Sequence, residues 1–176
     1  MLQKLKKDFF AHRNGVLAQQ FKRAGDPHSI IMGCQLVDIV DITRSYSKDS
    51  RLAQALWNER QHRECRMAAP MLFPVEEFTI NHALDWCNGL ESTEIADVLC
   101  HRLLRHLDYA PQLWEQLRES EKSLSRYAAW RLLLNLLLVN KIENPARLVP
   151  VIEQELQSAP AHLQPLLHSI MEECLL

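Results

Sequence analysis

The chain has 176 residues, 20 Lys and Arg against 22 Asp and Glu for a net charge of −2, and 47% hydrophobic residues. That apolar fraction excludes wholesale disorder, and the near-neutral total excludes a uniformly basic nucleic-acid-coating protein. Only 4 glycines are present, too few for the turns of an all-β fold, and none are clustered into a phosphate-binding loop.

Met1 to Phe10 carries Lys4, Lys6 and Lys7, and no apolar run of signal-peptide length follows. The longest apolar stretch, Leu132 to Val139, is interrupted by Asn135 and is far too short to span a bilayer, so no membrane partner is expected. The 5 cysteines are odd in number and lack a Cys-x-x-Cys pair, which fits reduced, mostly buried thiols in a cytoplasmic protein. Charge is uneven along the chain. Residues 1–23 hold Lys4, Lys6, Lys7, Arg13, Lys22 and Arg23 against Asp8 alone, whereas no Lys or Arg follows Arg147. A basic face is therefore compatible with an acidic total.

In chain order, the periodicity predicts a first amphipathic helix from Leu2 to Ala24, stopped at Gly25-Asp26-Pro27. A second runs from Cys34 to Tyr46, with Leu36, Ile39, Val40 and Thr43 on one face. Asp49 and Ser50 cap a third that reaches Trp57, and His62 to Leu72 is the fourth. A fifth runs from Thr79 to Asn88-Gly89. Ser92 caps a sixth that extends to about Leu107, and Asp108 caps a seventh that reaches Arg118. Ser123 to Val139 is the eighth, Asn144-Pro145 opens a ninth, and Pro160 a tenth.

A weak repeat organises these helices. Ala55-Leu56-Trp57 followed by Arg66-Met67-Ala68-Ala69-Pro70-Met71-Leu72 is echoed by Gln112-Leu113-Trp114 followed by Arg126-Tyr127-Ala128-Ala129-Trp130-Arg131-Leu132. The small Ala-Ala step lets the second helix of a pair sit close to the first. From Arg66 to Arg126 is 60 positions, or two helix pairs of about 30 residues each, a period of helical solenoids. The expected fold class is all-α: a right-handed α-α superhelix of HEAT-like antiparallel helix pairs, about ten helices, forming a single helical-repeat domain over residues 1–176.

Within this frame, Met32-Gly33-Cys34 to Ile42, Leu56-Trp57, His62-Arg63-Glu64-Cys65-Arg66-Met67-Ala68-Ala69, Trp86, and Glu94-Ile95-Ala96-Asp97-Val98-Leu99-Cys100 resemble the AlkD-like DNA alkylation-repair family. The resemblance runs from about Ile30 to Val139. It implies a HEAT-like solenoid that holds double-stranded DNA in a basic groove. Active members are glycosylases that release cationic N3- and N7-alkylated purines. By this resemblance the catalytic carboxylate falls on Asp97. A tryptophan usual one turn earlier is Thr93 here, and the groove arginine falls on Tyr127 or its neighbour Arg126. The last helices hold no tryptophan, and the chain is shorter than is usual for the family.

The residues themselves allow the following. On the sixth helix, at 100° per residue, Ile95, Ala96, Leu99, Cys100, Leu103 and Leu107 share the core face, while Glu94, Asp97, His101 and Arg105 lie opposite. A carboxylate at that border is suited to stabilising positive charge on a deoxyribose as a cationic base departs. The alternative is an Asp97 in solvent, or one paired with His101 or Arg105. Glu94, Asp97 and His101 also have a helical metal-ligand spacing, but no second ligand pair converges on them, so neither metal nor cofactor is expected. The eighth helix is apolar nearly all round except for Tyr127, Arg131 and Asn135, a stripe that faces either the groove or a buried acidic partner. Arg63, Arg66, Arg102 and Arg105, with Arg126, Tyr127 and Arg131, form the expected phosphate-contacting set. Cys100-His101 are adjacent and diverge, a poor dyad.

Two functions stay open on the sequence. One is a DNA-binding protein of the alkylation-repair type, an alkylpurine glycosylase if active. The other is a non-enzymatic HEAT-like scaffold whose partner is another protein. Sequence leaves the oligomeric state undetermined.

Overall fold

The computed structural model describes residues 1–176, which form eleven α-helices and no β-strand, so the chain is all-α as expected. A single bridge between Ile30 and His62 is the nearest approach to a sheet. The helices fall into two compact units, Met1–Thr79 and Ile80–Leu176.

The first unit contains α1 (Leu2–Ala11), α2 (Gly15–Arg23), α3 (Leu36–Arg44), α4 (Ser50–Trp57) and α5 (Arg63–Leu72). The single first helix expected from Leu2 to Ala24 is thus two. The break lies at Asn14, whose side chain accepts hydrogen bonds from the backbone of Val16 at 3.1 Å and Leu17 at 3.2 Å, capping α2. The Asn14-Gly15 pair is a turn signal that outweighs the continuing apolar period. Asn14 also donates its backbone N–H to Met32 O at 2.8 Å, which ties the break to the segment before α3. That crossing needs Gly33. Its φ is +79°, and a Cβ there would stand 2.1 Å from Asn14 O. Gly33→Ala is therefore expected to cost at least about 1–3 kcal/mol through the left-handed backbone and the clash, read as a lower midpoint in chemical denaturation.

α5 packs on α3 and α4, and α1 packs on α3 and α4. Leu5, Phe9, Ile39, Leu56, Ala68 and Ala69 are fully buried there. The Asp49 cap on α4 forms as expected, with Leu52 N–H donating at 2.8 Å.

The second unit contains α6 (Ile80–Asn88), α7 (Thr93–Arg102), α8 (Ala110–Arg118), α9 (Ser123–Leu137), α10 (Val149–Ser158) and α11 (Gln164–Leu175). α9 is its axis, packed against α6, α7, α8 and α11. This accounts for its lack of a polar face: 11 of its 15 residues are buried. The Ala-Ala step of the repeat serves as expected in both units. Ala68 and Ala69 on α5, and Ala128 and Ala129 on α9, are all 0% exposed at α4–α5 and α8–α9.

Several boundaries differ from the sequence reading, among them the last helix, which begins at Gln164 and not at Pro160, and α9, which ends at Leu137 and not at Val139. α7 ends at Arg102, because Leu103 leaves helical geometry at φ −131° and ψ −61° and a 3₁₀ turn follows over Leu104–His106. This puts Leu103, Leu104 and Leu107 into the core together. Tyr109, not Asp108, stands before α8, with Pro111 in its first turn. Asn144 caps nothing with its side chain. It takes a left-handed φ of 50° before a 3₁₀ turn, and α10 begins at Val149.

All five cysteines are free and buried. Burial pushes the thiols of Cys34, Cys65 and Cys87 up to about 12, well above the range of reactive thiolates. No helix is long and apolar enough to cross a membrane.

Candidate functional site

Two expected phosphate contacts are removed by the first unit. Arg63 and Arg66 are each 1% exposed. Arg63 lies over the Phe21 ring at 4.0 Å, donates to Cys34 O at 3.0 Å, and sits 3.4 Å from both Asp26 and Glu64. Arg66 donates to Trp57 O at 2.6 Å and stacks 3.5 Å over the Trp57 ring. Neither guanidinium faces solvent. The helix-wheel face shared by His62, Arg63 and Arg66 is real, but it points inward, because carboxylates, carbonyls and rings are there to receive it. Glu64, 0% exposed, is the organising anion. It accepts from the backbone N–H of Met32 at 3.0 Å and of Gly33 at 2.9 Å, and His62 Nδ1 stands 3.4 Å from its other oxygen. Burial raises the Glu64 carboxyl. The approach of His62, the backbone N–H groups of Met32 and of Glu64 itself, and the charge of Arg63 outweigh this and hold it below its ordinary value.

The second unit assembles a different site. Ser92 caps α7, accepting from Ile95 N–H at 3.2 Å, and fixes the helix phase. Ile95, Ala96, Leu99 and Cys100 are then fully buried, and Asp97 is left at the border of core and solvent. On α9, Tyr127 and Arg131 are one turn apart and reach Asp97 together. Arg131 donates from Nε to Asp97 Oδ1 at 2.7 Å and from Nη2 to Oδ2 at 3.0 Å, a two-pronged pair. Tyr127 Oη donates to Asp97 Oδ1 at 2.9 Å. The side chains of Arg131 and Asp97 are 31% and 32% exposed, while Tyr127 is buried at 9%. The site is thus a rim, neither sealed nor free. Its hydrogen bond to Asp97 raises the Arg131 guanidinium above its ordinary value, and burial beside the Asp97 charge raises the Tyr127 hydroxyl. Both groups stay protonated at neutral pH.

The stripe Tyr127–Arg131–Asn135 therefore does have an acidic partner, and that partner is Asp97. Asn135 is buried and stands apart from the rim. Arg102 and Arg105 are half-exposed, and Arg105 Nε donates to His106 Nε2 at 3.3 Å. Beside them is His101, whose imidazole is held below its ordinary value by burial and by the nearby side chains of Arg105, Arg102, His106 and Arg131. Lys141 joins them, donating to Arg105 O at 3.0 Å. Arg126 lies on another side of α9 and is 3.4 Å from Glu155. Of the seven residues expected at phosphates, Arg102, Arg105 and Arg131 share the neighbourhood of His101. Tyr127 instead serves Asp97, and Arg126 is compensated.

Sequence reasoning missed Lys141, Glu155 and His162, whose ring is 6.5 Å from that of Tyr127. Each comes from an element remote in sequence, and no spacing rule reaches it. No group of three or more His, Cys, Asp or Glu side chains is arranged to hold a metal. Asp97 turns its oxygens to α9, away from a ligand set with Glu94 and His101.

An all-helical fold with one carboxylate on the rim, gripped by a tyrosine and an arginine of the neighbouring helix, defines an all-α protein with a polar site between two packed helices. The sequence matches the model of the DNA alkylation repair enzyme family over residues 5–164, and the chain belongs to that family. Neither a curated protein nor a solved structure matches it.

Proposed function

We propose that this chain binds double-stranded DNA and slowly releases cationic alkylated purines, with Asp97 as the catalytic carboxylate. The observation that carries this reading is the position of Asp97: one-third exposed, held from α9 by Tyr127 and Arg131, and one turn from His101, on which Arg102, Arg105 and Arg131 act together. The cations attract phosphates. A cationic base then lies near a fixed anion, and as its bond to the sugar breaks, the positive charge growing on the deoxyribose is stabilised by Asp97. The departing alkylated base takes the electron pair of the broken bond, leaves as a neutral base and needs no proton, while a solvent water adds to the sugar carbon and releases its proton to solvent. Slowness has two physical reasons. Arg131 compensates the Asp97 charge, and Thr93, exposed one turn before Asp97, is too small to wall a base.

The test is single-turnover release of 7-methylguanine from a duplex. Wild type is expected above the spontaneous rate and Asp97→Asn at it. Equal rates for the two proteins would remove Asp97 from the chemistry.

A further inference from the structure

We infer that the Asp97–Arg131 pair is a latch that a DNA phosphate opens. This deepens the function proposed above and rests on it. A guanidinium presents the same two-pronged donor geometry to a carboxylate and to a phosphate, so the two anions compete for Arg131. The competition is feasible here because the pair is at the rim. Arg131 is 31% exposed, and its own partner is the sole carboxylate it meets. Arg102 and Arg105 act on His101 together with Arg131, and their charges concentrate phosphates next to the latch.

Opening does not strand Asp97. Tyr127 keeps its 2.9 Å hydrogen bond to Oδ1 and is itself anchored by burial, so the carboxylate holds its place when Arg131 departs. Closed, Asp97 is compensated. Open, it is an uncompensated anion, and it becomes so only when a phosphate is bound. Arg131 is then a positioning residue that couples DNA engagement to the charge of the site. The ion pair is the resting state because its two prongs are both made within the protein.

The latch predicts an effect that net charge alone does not. Removing the carboxylate frees Arg131, so Asp97→Asn binds duplex DNA more tightly, by about fivefold at low salt, a factor typical of a well-formed, half-exposed pair. With Arg131 already replaced by Met, nothing remains to free, and the same Asp97→Asn change gains less than about twofold. The experiment is a double-mutant cycle read by fluorescence anisotropy of one unmodified duplex, with circular dichroism melts to establish that each variant is folded. A gain confined to the Arg131 background supports the latch. Tight binding by the Asn variant where wild type binds weakly supports it in the extreme. Equal gains in both backgrounds overturn the latch and leave the DNA-binding reading intact, because only general charge is then at work. A loss of affinity in Asp97→Asn also overturns it, since Asp97 would then be holding Arg131 ready for the phosphate. No binding by any of the four proteins overturns the functional reading, and the latch with it.

Discussion

Glu64→Ala is expected to lower stability by about 3–5 kcal/mol, measured by urea denaturation at neutral pH. Glu64 is 0% exposed and closes three separate demands at once. It accepts the N–H groups of Met32 and Gly33, it faces Arg63, and it faces His62. Its removal leaves two backbone donors without their acceptor and a buried guanidinium with Asp26 alone for a carboxylate, which costs far more than the pair itself contributes. Glu64→Gln is expected to cost less, because one acceptor oxygen remains. The pH dependence has a definite sign. The folded carboxyl is held below its ordinary value, so its contribution is complete above the unfolded value of about 4.3 and is lost as pH falls through the folded one. Glu64→Gln should therefore flatten the acid limb of stability between pH 5 and 2, roughly the window a depressed carboxylate spans. An unchanged acid limb would mean that other carboxylates set it.

The paired substitution Arg102→Met with Arg105→Met is expected to weaken duplex binding by tenfold to a hundredfold at ~0.1 M salt, on the scale of lost phosphate contacts. Both arginines are half-exposed, so their charges can reach a phosphate. The slope of log affinity against log salt should fall by about 2, one phosphate for each arginine. Stability should change little, because neither side chain is in the core. The single Arg126→Met variant is the internal comparison. Arg126 is already paired with Glu155, and its loss should move affinity by less than about twofold. If Arg126→Met weakens binding as much as the pair does, the cations around His101 are not where the phosphates lie.

Much of the architecture was legible in the sequence because it depends on periodicity and small residues. The Ala68-Ala69 and Ala128-Ala129 steps and the Ser92 and Asp49 caps all act over a few positions, and all serve as expected. Asn14-Gly15 is a turn signal, but the apolar period that continues across it points to one unbroken helix. The end of α7 at Arg102 was not legible, because Leu103, Leu104 and Leu107 suit either a helix or a broken one. At the candidate site, Asp97, Tyr127 and Arg131 were all picked out, but their mutual contact spans 30 or more positions and no local rule gives it. Arg63 and Arg66 illustrate the converse. A charge on a helix face reads as solvated until tertiary packing supplies partners, and here Glu64, Asp26, Trp57 and Phe21 supply them.

In the proposed function, the Asp97 rim of the second unit receives DNA that carries a cationic base. The most direct test is the affinity of the wild type for a duplex with a single 7-methylguanine, against the same duplex unmodified, at low salt and before release begins. Tighter binding to the methylated duplex is expected, because its added positive charge lies against Asp97. Equal affinity for the two duplexes would contradict it.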